Sequence, residues 1–402
     1  AQKPLTDYVN PMLGTATLWD SVDLGFKPTK RTWGAEVFPG SSLPNAMVQV
    51  SPVTKFHSGA GYQYEDSVIY GFTHTNKGHW NLCHIPLLPV TGTPTPGDYC
   101  SPFSHERESA APGYYQVFLD RYGVDAQLSS TLRCAFHKYT YPAGAAASLL
   151  ADLQRSNEHV RAWDIRKEGD NVFAGWQQTG EKMYFYAVAN RPVTGIEPVV
   201  EGDREVRIVR FGEGDGALEL RIGFSFVSEK NARENLEAEM LGKSFAEVRS
   251  EATATWNDLL GRIRVEGGTE REKGLFYSSL YRSFLWPALR SDVNGEFTDV
   301  DGKVINPGFR YYTGPSYWDD YRNKLILLGM LAPDVAADVI SSDTDKGEKR
   351  GGFMPTFFHG DHASAFVAGT YLRGNRGFDV NRAYNLVLRN ATVQGPSRPW
   401  LD

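Results

Sequence analysis

The chain has 402 residues, 41% of them hydrophobic and 22% charged, with a formal charge of −6. A chain of this length is expected to form two domains, because one hydrophobic core rarely grows so large. The acidic balance offers no field for a phosphate backbone, which argues against nucleic acid as a partner, and no run approaches the roughly 18 apolar residues of a membrane span.

The N-terminal Ala1-Gln-Lys-Pro4 lacks an apolar signal core, so the chain is expected either never to be exported or to be numbered after cleavage. Cys83, Cys100 and Cys134 form an odd set with no CxxC spacing, which excludes a zinc ribbon and permits at most one disulfide. Residues 1–227 read as β structure. Leu218, Leu220, Ile222, Phe224 and Phe226 alternate with polar or small residues at the two-residue period of a half-buried strand. Val206, Ile208 and Phe211 give a rougher version, and the glycine-rich residues 212–216 between the two runs are expected to be a hairpin connection. Runs at 114–119, 126–132, 137–141 and 183–188 continue the series without a helical period, which predicts an antiparallel sandwich.

At residue 228 the period changes. Leu236, Met240, Phe245, Val248, Ala252, Trp256, Leu259 and Ile263 recur every three to five residues, as an amphipathic helix or helix pair requires. Residues 228–268 therefore read as a helical linker. Thr269 and Glu272 form a capping box before a helix over 275–285, ended by Pro287. Further helices are expected at about 319–331, 334–342, 362–373 and 380–391, with the charged residues 343–350 as a solvated turn. Strands followed by helices give two domains, a β-sandwich at 1–227 and an α-domain at 269–402.

The stretch from Tyr312 to Arg322 combines aromatic faces, carboxylates and an arginine. A pyranose offers an apolar C–H face for an indole and a rim of hydroxyls for charged partners, so Trp318, Asp319 and Arg322 are candidate sugar contacts. The competing reading makes these aromatics core and pairs Arg322 with Asp319 or Asp320. Three segments of the β-domain are rich in Gly, His and aromatic residues: 33–44, 56–62 and 71–80. They nominate His57, Gly59, His74 and Trp80 as substrate contacts, with bonded structural histidines as the alternative. His359, Asp361 and His362 stand at the start of a helix. Asp361 reads there as an N-cap or a functional carboxylate, and the metal reading of the cluster lacks a further ligand at a known spacing.

Several stretches resemble the family-92 glycoside hydrolases, calcium-dependent exo-acting α-mannosidases. They are Tyr8-Val-Asn-Pro-Met-Leu-Gly-Thr15, Phe38-Pro-Gly40, Gly71-Phe-Thr-His-Thr75, Phe103-Ser-His-Glu106, Pro112-Gly-Tyr-Tyr115, residues 228–239 and 276–302, and the Trp318-Asp319 pair, in family order along most of the chain. The resemblance implies a β-sandwich joined by helices to an (α/α)6 barrel, of which this chain has room for about half. It also implies a sugar pocket between them, lined by the Trp-Asp pair and the His- and Gly-rich loops. The family's catalytic acid is a glutamate in a Gly-Asn-Glu loop. Here Gly351-Gly-Phe-Met-Pro355 runs almost directly into Gly360-Asp-His-Ala363, so that loop is missing and Asp361 becomes the candidate catalytic acid.

The expectation is an inverting, exo-acting glycoside hydrolase removing terminal α-linked mannose from a glycan, in the periplasm or outside the cell, with calcium as cofactor and its ligands unassigned. The alternatives are a carbohydrate-binding relative without turnover, or another glycosidase specificity on the same scaffold.

Overall fold

The fold is taken from a computed structural model that describes residues 3–29, 34–358 and 360–398. It divides into two compact units, Ala1–Tyr281 and Arg282–Asp402.

In the first unit two antiparallel sheets carry the fold. The seven-stranded sheet runs in the spatial order Ser41–Ser42, Gln49–Val53, Gly71–Thr73, Leu87–Val90, Ser148–Ala151, Arg204–Phe211 and Val193–Glu201. The eight-stranded sheet runs Ala162–Gly169, Val172–Gln178, Lys182–Ala189, Leu218–Ser225, Cys134–Thr140, Val124–Ser130, Tyr114–Leu119 and Glu108–Ala111. Alternation decides which side chains face inward, and the inward sets interlock. Phe72 of one sheet meets Tyr115, His137 and Tyr139 of the other at ring separations of 6.5, 6.3 and 6.4 Å. This is the sandwich expected from the two-residue period. One connection differs from expectation. Arg204–Phe211 and Leu218–Ser225 lie in different sheets, so residues 212–216 cross from sheet to sheet and do not close a hairpin. Glycines signal a chain reversal equally in both cases, and only the core decides which sheet receives the next strand.

The amphipathic stretch forms two helices, Glu229–Glu239 and Phe245–Leu260, the second opened by a reciprocal Ser244–Glu247 capping box. Both pack on the sandwich. Leu236, Met240, Phe245 and Val248 join Tyr114, Cys134 and Phe136 in one buried cluster. The first helix lies so close to its strand that a side chain at Gly223 would stand 2.1 Å from the Ala232 carbonyl oxygen, so only glycine fits there. Buried Trp256 donates its indole N–H to the Ser42 carbonyl at 2.8 Å. The Thr269–Glu272 capping box is present and opens the helix Glu270–Ser283, a turn earlier than the expected 275. The three cysteines are free thiols.

The second unit contains the helices Tyr317–Asp320, Lys324–Leu331, Pro333–Lys349, His362–Leu372 and Val380–Thr392. The helix expected at 319–331 is broken after Asp320, and Asn323 caps its continuation by accepting from the Lys324 N–H. Residues 343–349 are no solvated turn but the last part of the Pro333–Lys349 helix. Their charges are matched inward. Buried Asp343 accepts from the Tyr317 hydroxyl and lies 3.2 Å from Lys346 Nζ, and Lys349 bridges Asp299 and Asp345 at 2.9 Å each. A charge run reads as solvent-facing only when its partners in space are unknown.

Beside Phe72 a hydrogen-bonded relay is fully buried. His74 Nδ1 reaches the Ile85 carbonyl at 2.8 Å and must donate to it; His74 Nε2 therefore accepts from His137 Nε2 at 2.9 Å, and His137 Nδ1 accepts from the Tyr139 hydroxyl. Burial lowers the His74 pKa from 6.5 to about 3, and burial together with the neighbouring His74 also lowers that of His137. Unfolding frees both rings to take up protons below about pH 6.5, so the unfolded state binds more protons and stability falls as pH drops from about 6.5 toward 3, by up to about 1.4 kcal/mol per pH unit for each ring. Denaturant midpoints measured from pH 7.5 to 5, above the carboxylate range, are expected to change little above about pH 7 and to decline below about pH 6.5. A flat profile would show that the two rings titrate normally in the fold.

Candidate functional site

Each unit presents its own cluster of candidate residues. In the second unit the Tyr317–Asp320 helix sorts its side chains by depth. Tyr317 and Asp320 point into the core, and Asp320, 3.4 Å from Lys324, has its pKa raised by burial. Trp318 and Asp319 point out, and Trp318 remains 44% exposed. Its ring stands 5.7 Å from that of Phe358, itself 72% exposed, and Tyr321 stacks on His362 at 4.0 Å. The Arg322 guanidinium lies over Tyr321 at 4.9 Å. Tyr312 and Tyr317 are thus core residues, while Trp318, Asp319 and Arg322 are exposed, the indole against Phe358 and the guanidinium against Tyr321. An exposed indole beside a carboxylate and a guanidinium can cover the face of a sugar ring and bond its hydroxyls. His362 was not singled out as part of this surface, since only the fold brings Tyr321 and the His362–Leu372 helix together.

Asp361 is the N-cap of that helix. Its carboxylate accepts from the Ser364 N–H at 3.4 Å, the Ser364 hydroxyl at 2.5 Å and the Asn390 side-chain N–H at 3.1 Å. The apolar wall that would favour a protonated carboxyl is not built, because Phe357 and Phe358 are exposed and only Phe366 is buried. His359 lies outside the described residues. Among the described residues no group of three or more His, Cys, Asp or Glu side chains comes together to hold a metal ion.

In the first unit the loop residues split. Residues 71–73 of the expected loop form a strand, and His74 is completely buried in the relay described above, so it is a structural group out of reach of any ligand. His57 and Trp80 are exposed and Gly59 is buried: the Trp80 N–H donates to the Gly59 carbonyl at 3.0 Å, and the His57 N–H donates to Asn157 Oδ1 at 2.7 Å. Gly59 takes φ +33°, and a side chain there would meet Glu36 at 3.0 Å. His79, Trp80, Leu82, Cys83 and Ile85 all hold positive φ, as do Glu36 and His57. Such conformations cost about 1–3 kcal/mol each in non-glycine residues and cluster where a backbone is shaped for binding. Trp33, at the head of the 33–44 segment, lies outside the described residues.

Behind these loops His84 bonds Thr75 Oγ1 at 2.8 Å and Glu158 Oε2 at 2.8 Å. Burial opposes ionisation of Glu158, but His84 and Thr179 outweigh it and hold the carboxyl down at about 2. Glu158 and Asn157 carry no local signal, since they lie on an ordinary polar turn and their partners His84 and His57 stand 74 and 100 residues away.

The chain matches glycosyl hydrolase family 92 over nearly its whole length, with the N-terminal domain on residues 8–234 and the catalytic domain on residues 231–401. It belongs to this family. Among solved structures, the family GH92 α-mannosidase BT3965 of Bacteroides thetaiotaomicron is 26% identical and superposes with TM-score 0.87, covering 96% of this chain and 56% of that one. The inverting mannosidase BT2199 of the same species is 23% identical with TM-score 0.85, over 98% and 56%, and speaks for the fold alone. A protein described as an uncharacterized secreted glycosidase of Arthroderma benhamiae is 24% identical over 97% of this chain and 52% of its own length. The family 92 chain thus spans about half the length of these relatives. Its fold class is the expected one, an antiparallel β-sandwich with linking helices followed by part of an (α/α)6 barrel.

Replacing Asp361 by alanine is expected to cost about 1 kcal/mol of stability through loss of the cap. Urea denaturation measures it, and an unchanged midpoint would leave the carboxylate free for another role.

Proposed function

We propose that this family 92 chain acts on glycans as part of an exo-acting α-mannosidase, cleaving terminal α-linked mannose with inversion at the anomeric carbon, in the periplasm or outside the cell. The support is the match to an α-mannosidase at TM-score 0.87 over 96% of the chain, together with an exposed Trp318–Asp319 pair where a sugar-covering indole was expected. A related α-mannosidase structure carries mannoimidazole, and the curated relative is described as secreted. No single described helix is long and apolar enough to cross a membrane. We keep the division expected from the sequence, with 1–227 as sandwich, 228–268 as linker and 269–402 as the start of the barrel.

The roles follow from chemistry. The Trp318 indole covers the C–H face of the terminal pyranose, and Asp319 and Arg322 bond its hydroxyls. In the first unit His57, Gly59 and Trp80 are kept as candidate saccharide contacts in their own right. Inversion needs an acid at the leaving oxygen and a base that activates water on the opposite face, with about 6.5–9.5 Å between their carboxyls. Asp361 is a poor choice for the acid, because all three of its contacts are ones a carboxylate accepts. Calcium, implied by the family resemblance, finds no ligand set among the described residues, so no step is derived through it.

The geometry of Asp361 also favours a second reading, a carbohydrate-binding relative that has lost turnover. Trp318→Ala separates function from fold: the variant is expected to keep the wild-type melting temperature and to lose saccharide binding at least about tenfold, as removal of a stacking face does. Unchanged affinity would assign Trp318 to packing. Mannose release from α-linked mannobiose against release of nitrophenol from the aryl α-mannoside then decides between the readings, since a phenolate leaves without a proton. Cleavage of both supports the mannosidase, cleavage of the aryl substrate alone shows a missing acid, and binding without either supports the second reading.

A further inference from the structure

A cleft of about 720 Å³ opens within the first unit, between residues 154–163, His57 and the turn at 203–204. None of the sugar contacts of the second unit takes part in it. Its wall carries guanidinium groups fixed from below. Arg204 donates to Asp152 Oδ2 at 2.9 Å and to Gln154 Oε1 at 3.2 Å, while Arg155 stands 3.9 Å from the same Asp152 oxygen and lies over the rings of Phe56 and Tyr70 at 5.2 and 5.5 Å. Asp152 is itself fully buried and is held by the Tyr99 hydroxyl at 2.5 Å. One carboxylate thus aligns two cations, which leaves positive charge on the wall at no cost of reorganisation when a ligand arrives.

The rest of the lining adds donors faster than acceptors. Arg161 and His159 are exposed on the cleft, and among the described residues neither side chain has an ion pair or hydrogen bond. The nearby carboxylate of Glu158 is already engaged by His84 at 2.8 Å and by Thr179 at 2.7 Å. Asp203, on the rim, and Glu158, whose bonds to His84 and Thr179 both use Oε2, offer acceptors for hydroxyls. Half-buried Trp163 supplies apolar surface, with Arg207 on one face at 4.9 Å. A matching occupant brings an oxyanion for the arginines, hydroxyls for Asp203 and His159, and a C–H face for the indole. The volume is that of a small-molecule site, about 300–1,000 Å³.

We propose that this cleft binds an acidic saccharide, a sugar bearing a carboxylate or a phosphate. The proposal concerns binding only, and it stands whether or not the chain hydrolyses mannosides.

Titration calorimetry of the chain at low salt with glucuronate, glucose 6-phosphate, glucose and inorganic phosphate tests it. At least one acidic sugar is expected to bind, with glucose and phosphate each about tenfold weaker or more, as loss of a charged hydrogen-bond set requires. The responses to glucuronate and to glucose 6-phosphate identify which oxyanion is read. Arg161→Gln and Trp163→Ala are each expected to weaken that binding about tenfold, and Trp318→Ala to leave it unchanged. Arg161 is exposed, so its variant folds and keeps the test decisive even where Trp163→Ala unfolds. Equal binding of glucose overturns the role of charge, and equal binding of phosphate overturns sugar recognition. Unchanged affinity in Arg161→Gln, or loss in Trp318→Ala, overturns the site.

Discussion

Phe72 meets rings of the opposite sheet at 6.3–6.5 Å, and the chain of bonds from Tyr139 through His137 and His74 to the Ile85 carbonyl runs beside it. Much of what the first unit presents at its surface is tied to this contact. The loop at 79–85 holds five non-glycine residues at positive φ, a conformation that needs fixed partners on both sides. It has them because His74 grips Ile85 from the core, the His74 N–H donates to the His84 carbonyl, and Ile85 itself donates to Gln177. Histidine suits the place better than a hydrophobic residue, since an unpaired carbonyl at that depth costs more than the ring's desolvation.

The second unit solves the reverse problem of holding charge inside and aromatic surface outside. Asp343, Asp345, Lys346 and Lys349 lie on the buried side of one helix and neutralise one another and Asp299. Tyr317 is anchored to Asp343, which fixes the short helix on which Trp318 and Asp319 stand. A ligand surface built this way is rigid, because its supporting bonds lie in the core and are protected from water.

Family 92 membership and the placement of Asp361 bear on different questions. The first concerns the scaffold. The second concerns the proton, and the Asp361 carboxylate caps its helix, bonded to Ser364 and Asn390. The chain spans about half the length of its relatives.

The two-residue alternation of Leu218–Phe226, the three-to-five spacing of Leu236–Leu259 and the Thr269–Glu272 box were sufficient for sandwich, helix pair and helix start, because each is a local pattern set by backbone geometry. Composition nominated Trp318 and Asp319 but left open whether the indole was core, and only the fold exposes it. Tertiary structure alone decided the crossing at 212–216, the burial of His74 and of Asp343, and the capping role of Asp361. It alone also brought Asp152, Arg155, Arg161 and Arg204 to one cleft. Each of these depends on a partner that the fold brings up, or on which sheet buries a face. A polar residue's sequence neighbours carry no record of the group that will satisfy it.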